Sequence, residues 1–494
     1  MNLSKSRYCR GIQCPKMLWM DKYMPEKAAD LGKEAVFETG NMVGDLAMGY
    51  FGEFTEVPYT DDKSLMVAKT AELIEAGTEN ICEASFFAGG LYCAVDILHR
   101  NGSGWDIVEV KSSTSLHDIY LHDMAFQCFV LMKNGLEIKG VYNLHINNGY
   151  VRYGELDIKG LFTLEDCTET VFAMQEDVPG NIDIINAYVD TAGEAEPEKD
   201  ISPDCDSPYE CAYKAWCGRH LPSPSVFDIA RLPAKKKYEY YYEGIISFAD
   251  IMEKRPKLNK TQYRQVESVC YGLPDEIDKE SIRACLSEYT YPLYHLDFET
   301  TQYAIPPYDG MRPFQQMPFQ YSLHVQQSAG AEPEHYEFLG KEGTDPRRAL
   351  AERLCADIPD DVCVLAYNMS FEKGRIKELA EMFDDLSAHL MSIHDNIRDL
   401  MIPFQKQFYY SSKLCGSYSI KYVLPAMCPG DPELDYHALD GIHKGDEASA
   451  AFADLPNHTP EEIAVIRRNL LAYCRLDTLA MVKILDRLIE LTEE

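Results

Sequence analysis

Two stretches of the chain alternate apolar and polar residues with the period of a β-strand, and each gathers its acidic residues on one side. Leu91-Tyr-Cys-Ala-Val-Asp-Ile-Leu98 and Trp105-Asp-Ile-Val-Glu-Val-Lys111 are rich in strand-forming residues, with Arg100-Asn-Gly-Ser-Gly104 between them. A two-residue turn at Gly102-Ser103 predicts a hairpin in which facing residues have numbers summing to 205. Asp96 then faces Glu109, with Cβ atoms about 5 Å apart. Lys111 leaves the same face as Glu109, because side chains alternate along a strand. Tyr291 to Thr300 predicts another strand, with Asp297 and Glu299 on one face and Leu296 and Phe298 on the other. Val362 to Tyr367 reads as a buried strand leading through Asn368-Met-Ser-Phe-Glu372 to a helix from Lys373 to about Phe383. From Thr459 to about Leu491 the period becomes helical, with Ile463, Ile466, Leu470 and Leu471 read as its core side. Tyr473 and Asp477, four apart, lie one turn apart on one face of that helix.

At 494 residues the chain should hold two or three domains, and its 46% hydrophobic and 26% charged fractions exclude disorder as its main character. Residues 1–222 alternate helical and strand patterns; the acidic stretch from Val189 to Asp200 reads as structureless, and Pro222 and Pro224 mark a boundary. Residues 223–289 read as a mostly helical connecting region. It holds Lys235-Lys-Lys237 and Tyr240-Tyr-Tyr242, a candidate contact for phosphates and bases. Residues 290–494 form the last region, in which Pro306 to Phe314 is a candidate border for a bound nucleotide. No apolar run is long enough to span a bilayer, and Met1 to Trp19 carries Lys5, Arg7, Arg10 and Lys16 without an apolar core. A cytoplasmic protein with no membrane partner is therefore expected, its 16 cysteines mostly reduced. The formal charge of −33 argues against indiscriminate adhesion to nucleic acid. A confined basic channel beside metal-binding carboxylates remains compatible with it.

Both acidic faces have a chemical reading. Like charges buried side by side are costly unless a cation lies between them. A divalent ion held so can polarise a phosphate and lower the pKa of its bound water, with Lys111 steadying an anionic oxygen. A solvent-exposed hairpin face with an ordinary salt bridge is the plainer alternative. Cys205, Cys211 and Cys217 recur at C-x5-C-x5-C spacing, without the paired C-x2-C of a zinc ribbon.

Asp96 followed by Glu109-Val-Lys111 resembles the PD-(D/E)XK nuclease core, in the RecB-like branch that includes CRISPR-associated nucleases. Gln127 matches that family's helix glutamine, Glu83 precedes the hairpin, and Ser4-Lys-Ser-Arg-Tyr8 with Cys14-Pro15 looks like the same branch. One departure is Gly44, where relatives often place a metal-binding histidine. The resemblance implies that Cys14, Cys205, Cys211 and Cys217 hold a [4Fe–4S] cluster; zinc, or four unligated core thiols, are the alternatives, with Cys9 a substitute for Cys14. Asp297 and Glu299, then Glu372, then Tyr473 and Asp477 resemble the successive motifs of DnaQ-like DEDD exonucleases of the tyrosine type. Glu372 departs from the usual aspartate there, and Asp399 and Ser417 to Leu424 look like that family's intermediate segments.

The order of parts is similar to an uncharacterised bacterial family fusing the two nucleases. The fold class it implies is α/β multidomain, a PD-(D/E)XK restriction-endonuclease-like α/β/α domain followed by an RNase H-like, DnaQ-type α/β domain. The implied activity is Mg²⁺- or Mn²⁺-dependent hydrolysis of DNA, with RNA not excluded. The implied metal ligands are Asp96, Glu109, Asp297, Glu299, Glu372 and Asp477. Single-stranded DNA ends are the expected partner, a protein partner is left open, and repair or defence is the implied setting. The rival readings are a non-catalytic nucleic-acid-binding scaffold with degenerate sites and a phosphodiesterase of small nucleotides.

Overall fold

The computed structural model describes residues 2–32 and 34–493. It is a mixed α/β protein of two compact units: Met1–Leu221 with Tyr303–Phe314, and Pro222–Gln302 with Gln315–Glu494.

In the first unit the strands are β1 (Leu3–Ser4), β2 (Thr55–Glu56), β3 (Asn80–Ala88), β4 (Leu91–Asn101), β5 (Gly104–Lys111), β6 (Ile138–Ile146) and β7 (Phe162–Asp166). They form one sheet in the order β2-β3-β4-β5-β6-β7, with β1 paired to β4. The hairpin β4–β5 turns at Gly102, whose φ of 58° suits glycine, and pairs Ile97 with Val108 and Asn101 with Gly104, so facing numbers sum to 205. β5 and β6 are parallel, which requires a crossover; the helix Asp118–Lys133 supplies it. Alternation along β4 and β5 sends Leu98 and Ile107 to a core with Met124, Phe126 and Leu131. Ile97 and Val108 go to the other face with Val43, Ala47 and Ala304. The helix Asp177–Ala192 runs through Val189, which is buried, so the acidic stretch read as structureless is helical at its start. Pro306 to Phe314 belongs to this unit. Arg152 Nη1 donates to the Pro306 and Pro307 carbonyls at 2.9 and 3.0 Å, and Phe314 packs against the apolar cluster, so the segment is anchored at both ends.

The second unit contains β8 (Glu276–Ile277), β9 (Leu293–Thr301), β10 (Met317–Gln326), β11 (Glu334–Leu339), β12 (Cys363–Ala366), β13 (Ile397–Asp399) and β14 (Tyr409–Tyr410). Five of them make a sheet in the order β11-β10-β9-β12-β13, while β8 and β14 pair separately. β9, β10 and β11 are antiparallel; β12 is parallel to β9, and β13 to β12. Leu296 and Phe298 pack on Leu350, Ile376 and Ile393 on one face. The long helix Pro460–Glu493 lies against β9 and β10. Its buried face begins at Leu470 and runs through Tyr473, Cys474, Asp477 and Met481. Ile463, Ile466 and Leu471, read as core, are only half-buried. At that end it is Arg467, rather than an apolar side chain, that reaches the edge of the sheet, donating to the Leu339 and Gly340 carbonyls at 3.1 and 2.6 Å.

Residues 223–289 group with this unit as the helices Ala234–Tyr242, Phe248–Lys254, Lys260–Tyr271 and Lys279–Leu286. Tyr238, Tyr240 and Tyr241 are buried, and Lys237 donates to the Phe227 carbonyl at 2.6 Å. The tyrosine run is thus mostly core, and the buried rings of Tyr240 and Tyr241 present no face on which a base could stack. Among the described residues no helix is long and apolar enough to cross a membrane.

Candidate functional site

In the first unit, the pleat and the hairpin register bring Asp96 and Glu109 to one place. Asp96 Oδ2 accepts from the Val110 amide at 2.7 Å, which fixes that carboxylate against β5. Lys111 Nζ lies 2.6 Å from Glu109 Oε1 and 2.9 Å from Asp123 Oδ2. Gln127, on the crossover helix, donates to Glu109 Oε2 at 2.7 Å and to Asp123 Oδ1 at 3.0 Å. Asp123 was not read from the sequence as a site residue, although its position one helical turn before Gln127 is the signal that could have found it. Lys5, too, carries no sequence signal of a role at this site. Its ammonium lies 3.3 Å from Asp96 Oδ1 and 3.1 and 3.2 Å from the two Glu109 oxygens.

Glu83 lies where the β3–β4 ladder steps from Cys82–Ile97 to Ala84–Val95, which sets it opposite Asp96. Its φ of 56° is a strained backbone for a side chain of this type in mid-strand. Burial and then the Asp96 charge push Glu83 up to about 7. Burial, Asp123 and Asp96 push Glu109 up to about 7 as well. Asp123 goes the other way: burial opposes it, but Lys111 and Lys5 hold it below the usual carboxylate range. Gly44, on the helix Glu34–Ala47, offers no side chain, and a Cβ there would meet nothing within 4 Å; the next residue, Asp45, is near enough for its charge to add to the rise of Glu83.

The four cysteines Cys14, Cys205, Cys211 and Cys217 line one cavity of the first unit. Cys14 sits in extended conformation between the helices Lys5–Gln13 and Pro15–Tyr23. Gln13 Nε2 ties that junction to the distant segment by donating to the Asp204 and Tyr209 carbonyls, both at 2.6 Å. The Cys211 amide donates to the Cys205 carbonyl at 2.9 Å, closing the loop. Cys9 does not line this cavity; its sulfur faces the Ile119 carbonyl at 4.0 Å.

In the second unit, Asp297 and Glu299 project from the central strand β9 toward the helix bearing Tyr473 and Asp477. Ligand atoms of Asp297, Glu299 and Cys474 lie within 4.8 Å of one another, the one such group of three among the described residues. Cys474 Sγ is 3.9 Å from Asp297 Oδ2. Tyr436 donates to Asp477 Oδ1 at 2.5 Å, and Lys421 Nζ reaches the Tyr473 hydroxyl at 3.4 Å. Glu372, in the first turn of the helix Ser370–Met382, is 2% exposed, and its Oε2 has no hydrogen-bond partner. Asp399 instead braces the backbone, its carboxylate accepting from the amides of Asn368, Met369 and Met401 at 3.0, 3.2 and 2.9 Å. Cys474, Tyr436 and Lys421 were missed from the sequence. Tyr436 sits in an irregular stretch with no periodic signal.

The four acids repel one another. Burial raises Asp297 well above the usual range, and the charges of Asp477, Glu299 and Glu372 raise it further. Burial and Asp477 do the same to Glu299, opposed by Lys421. Burial takes Glu372 up to about 8 and Asp477 up to about 6, the latter despite the Tyr436 hydrogen bond. An orphaned buried carboxylate oxygen among three further acids is a donor set suited to a hard divalent cation.

A pH dependence follows. An acid whose folded pKa is raised binds a proton that the unfolded chain has released, so stability falls as pH climbs through that interval. Burial lowers His295 and His335 to about 4 and His324 to about 3, so below about 6.5 these histidines act in the opposite sense. Above it only the carboxylates remain. Without divalent ions the melting temperature should therefore decline from pH 6.5 to 8, by a free energy on the order of a few kcal/mol. Mn²⁺ should restore it more at pH 8 than at pH 6.5. A flat metal-free profile in differential scanning fluorimetry would contradict the burial of these charges.

A family model described as a domain of unknown function (DUF2779) matches residues 294–419. The match contains Asp297, Glu299 and Glu372 and stops before Tyr473 and Asp477. No curated protein and no solved structure matches the chain.

Proposed function

We propose that the protein is a divalent-metal-dependent nuclease whose second unit trims single-stranded DNA from the 3′ end. The observation that carries this reading is that Asp297, Glu299, Glu372 and Asp477, from three separate elements, are buried or half-buried and close enough that the charges of the other three raise Asp297. The sheet order, with a central first strand flanked by antiparallel and parallel neighbours, agrees with an RNase H-like, DnaQ-type fold. Asp297, Glu299, Glu372 and Asp477 would hold Mg²⁺ or Mn²⁺. Ions bound there supply Lewis-acid polarisation of the phosphate and a more acidic attacking water. Tyr473 presents its hydroxyl to orient that water, and Lys421 adds a positive charge beside it. Tyr436 holds the Asp477 carboxylate in one orientation, which a metal ligand requires.

The first unit is read as a RecB-like PD-(D/E)XK domain with Asp96, Glu109, Lys111 and Gln127 as its catalytic set. Its four cysteines, gathered around one cavity, would hold a [4Fe–4S] cluster, with zinc the alternative.

The test is a 5′-labelled single-stranded oligonucleotide incubated with the protein and Mn²⁺. A ladder of shortened products is expected. Retention of the oligonucleotide without shortening would overturn the proposal in favour of a binding scaffold. Hydrolysis of a dinucleotide as fast as of the oligomer would point instead to a small-nucleotide phosphodiesterase.

A further inference from the structure

Lys5 is badly placed for the helix it begins. The helix Lys5–Gln13 has no acidic residue in its first turn, and a cation there opposes the helix dipole. Nor is Lys5 an ordinary surface lysine: its side chain is 25% exposed, and its ammonium bonds three carboxylate oxygens of two residues. Those two residues are Asp96 and Glu109, the pair expected to share a metal ion.

The remaining atoms of the site leave little choice about where an ion could bind. Asp96 Oδ2 is held by the Val110 amide, so Oδ1 is the free ligand atom, and Lys5 is 3.3 Å from it. The Glu109 oxygens also accept from Lys111 and Gln127. An ion ligated by Asp96 Oδ1 and Glu109 would therefore lie against the Lys5 ammonium, with two like charges in poorly solvated surroundings. The charge count points the same way. Asp96, Glu109 and Asp123 face Lys5 and Lys111, with Glu83 beside them, so Lys5 supplies one of only two positive charges that offset these carboxylates.

Building on the reading of the first unit as a metal site, we propose that Lys5 is a tethered cation occupying the metal position between Asp96 and Glu109, and that a divalent ion enters only when Lys5 withdraws. The strap that delivers it is slight: β1 has two residues, pairing Leu3 with Leu91 and Ser4 with Tyr92. Ser4 also caps the helix, accepting from the Arg7 amide at 3.3 Å. Removing the charge at position 5 leaves Asp96 and Glu109 uncompensated and should turn a weak metal site into a strong one.

The experiment uses the full chain carrying Asp297→Asn and Asp477→Asn, so that Mn²⁺ binding reports on the first unit, and follows free Mn²⁺ by electron paramagnetic resonance. Lys5→Met should tighten Mn²⁺ binding at least tenfold over this parent, and adding Asp96→Asn should abolish the gain. Lys5→Arg, which keeps the charge, should bind as weakly as the parent. Lys5→Gln provides a second neutral variant should the methionine disturb folding, and the same tightening is expected. Equal affinity with and without the lysine charge would overturn the tethered cation while leaving the metal site intact. Weaker binding in both neutral variants would make Lys5 a supporter of the ion and overturn the proposal. Absence of Mn²⁺ binding in every variant would overturn both this inference and the metal reading of the first unit.

Discussion

Asp297→Asn is expected to slow the shortening of single-stranded DNA by at least ~10³-fold, because metal-ion stabilisation of the transition state is worth several kcal/mol and each 1.36 kcal/mol is a factor of ten. The same substitution should raise the melting temperature of the metal-free protein. Asp297 is repelled by Asp477, Glu299 and Glu372 in a buried setting, and an amide of the same shape removes one of those charges. The increase in melting temperature on adding Mn²⁺ should shrink correspondingly. Lost activity with a raised metal-free melting temperature separates a missing ligand from a misfolded protein. Glu109→Gln, in the other unit, should leave the 3′ ladder unchanged. If Asp297→Asn shortens DNA at the parent rate, the second unit is not the exonuclease.

The second large effect concerns the cysteines. Cys205→Ser should abolish the iron content and the brown absorption near 400 nm expected of anaerobically purified protein, and lower the melting temperature of the first unit by more than about 5 °C. Binding energy at a structural metal centre is folding energy, about 10 kcal/mol for zinc-dependent peptides, and a change of 1 kcal/mol moves a domain's melting point by a few degrees. The cavity joins Cys14, at a helix junction, to a segment roughly two hundred residues later, so its loss frees both at once. Cys9→Ala should leave the iron content unchanged, since Cys9 lies outside the cavity. Zinc without iron in the purified protein would refute the cluster.

What could be read from the sequence was what depends on short-range geometry. A two-residue turn fixes the register of a hairpin, so the nearness of Asp96 and Glu109, the residues next after the last pair Ile97 and Val108, followed from residue numbers. The shared face of Asp297 and Glu299 followed from the period of a strand, and that of Tyr473 and Asp477 from the period of a helix. Lys5 eluded the same reasoning because its place is set by the parallel pairing of β1 with β4, which no local pattern announces. The core side of the final helix was legible only in part: Leu470 is buried as expected, while Ile463 and Ile466 precede the point where burial begins and Leu471 lies beside the buried face. The tyrosines after Lys237 show a limit of another kind: periodicity places a ring on a face but does not say whether that face meets solvent or core. Tyr436 and Lys421 reach their site through turns and short helices, where side-chain direction is a tertiary outcome.

The acidic residues of the second unit issue from β9, which has β10 on one side and β12 on the other. Its ladder with β12 covers Leu293 to His295, where the strand is bonded on both edges and opens only when the whole sheet does, so the amides of Tyr294 and His295 should be the slowest of the unit to exchange with deuterium. The carboxylates follow directly on the part of the molecule that breathes least. On the proposed reading, whatever adjustment catalysis needs would come from the substrate or from the surrounding turns, not from the floor on which the acids stand.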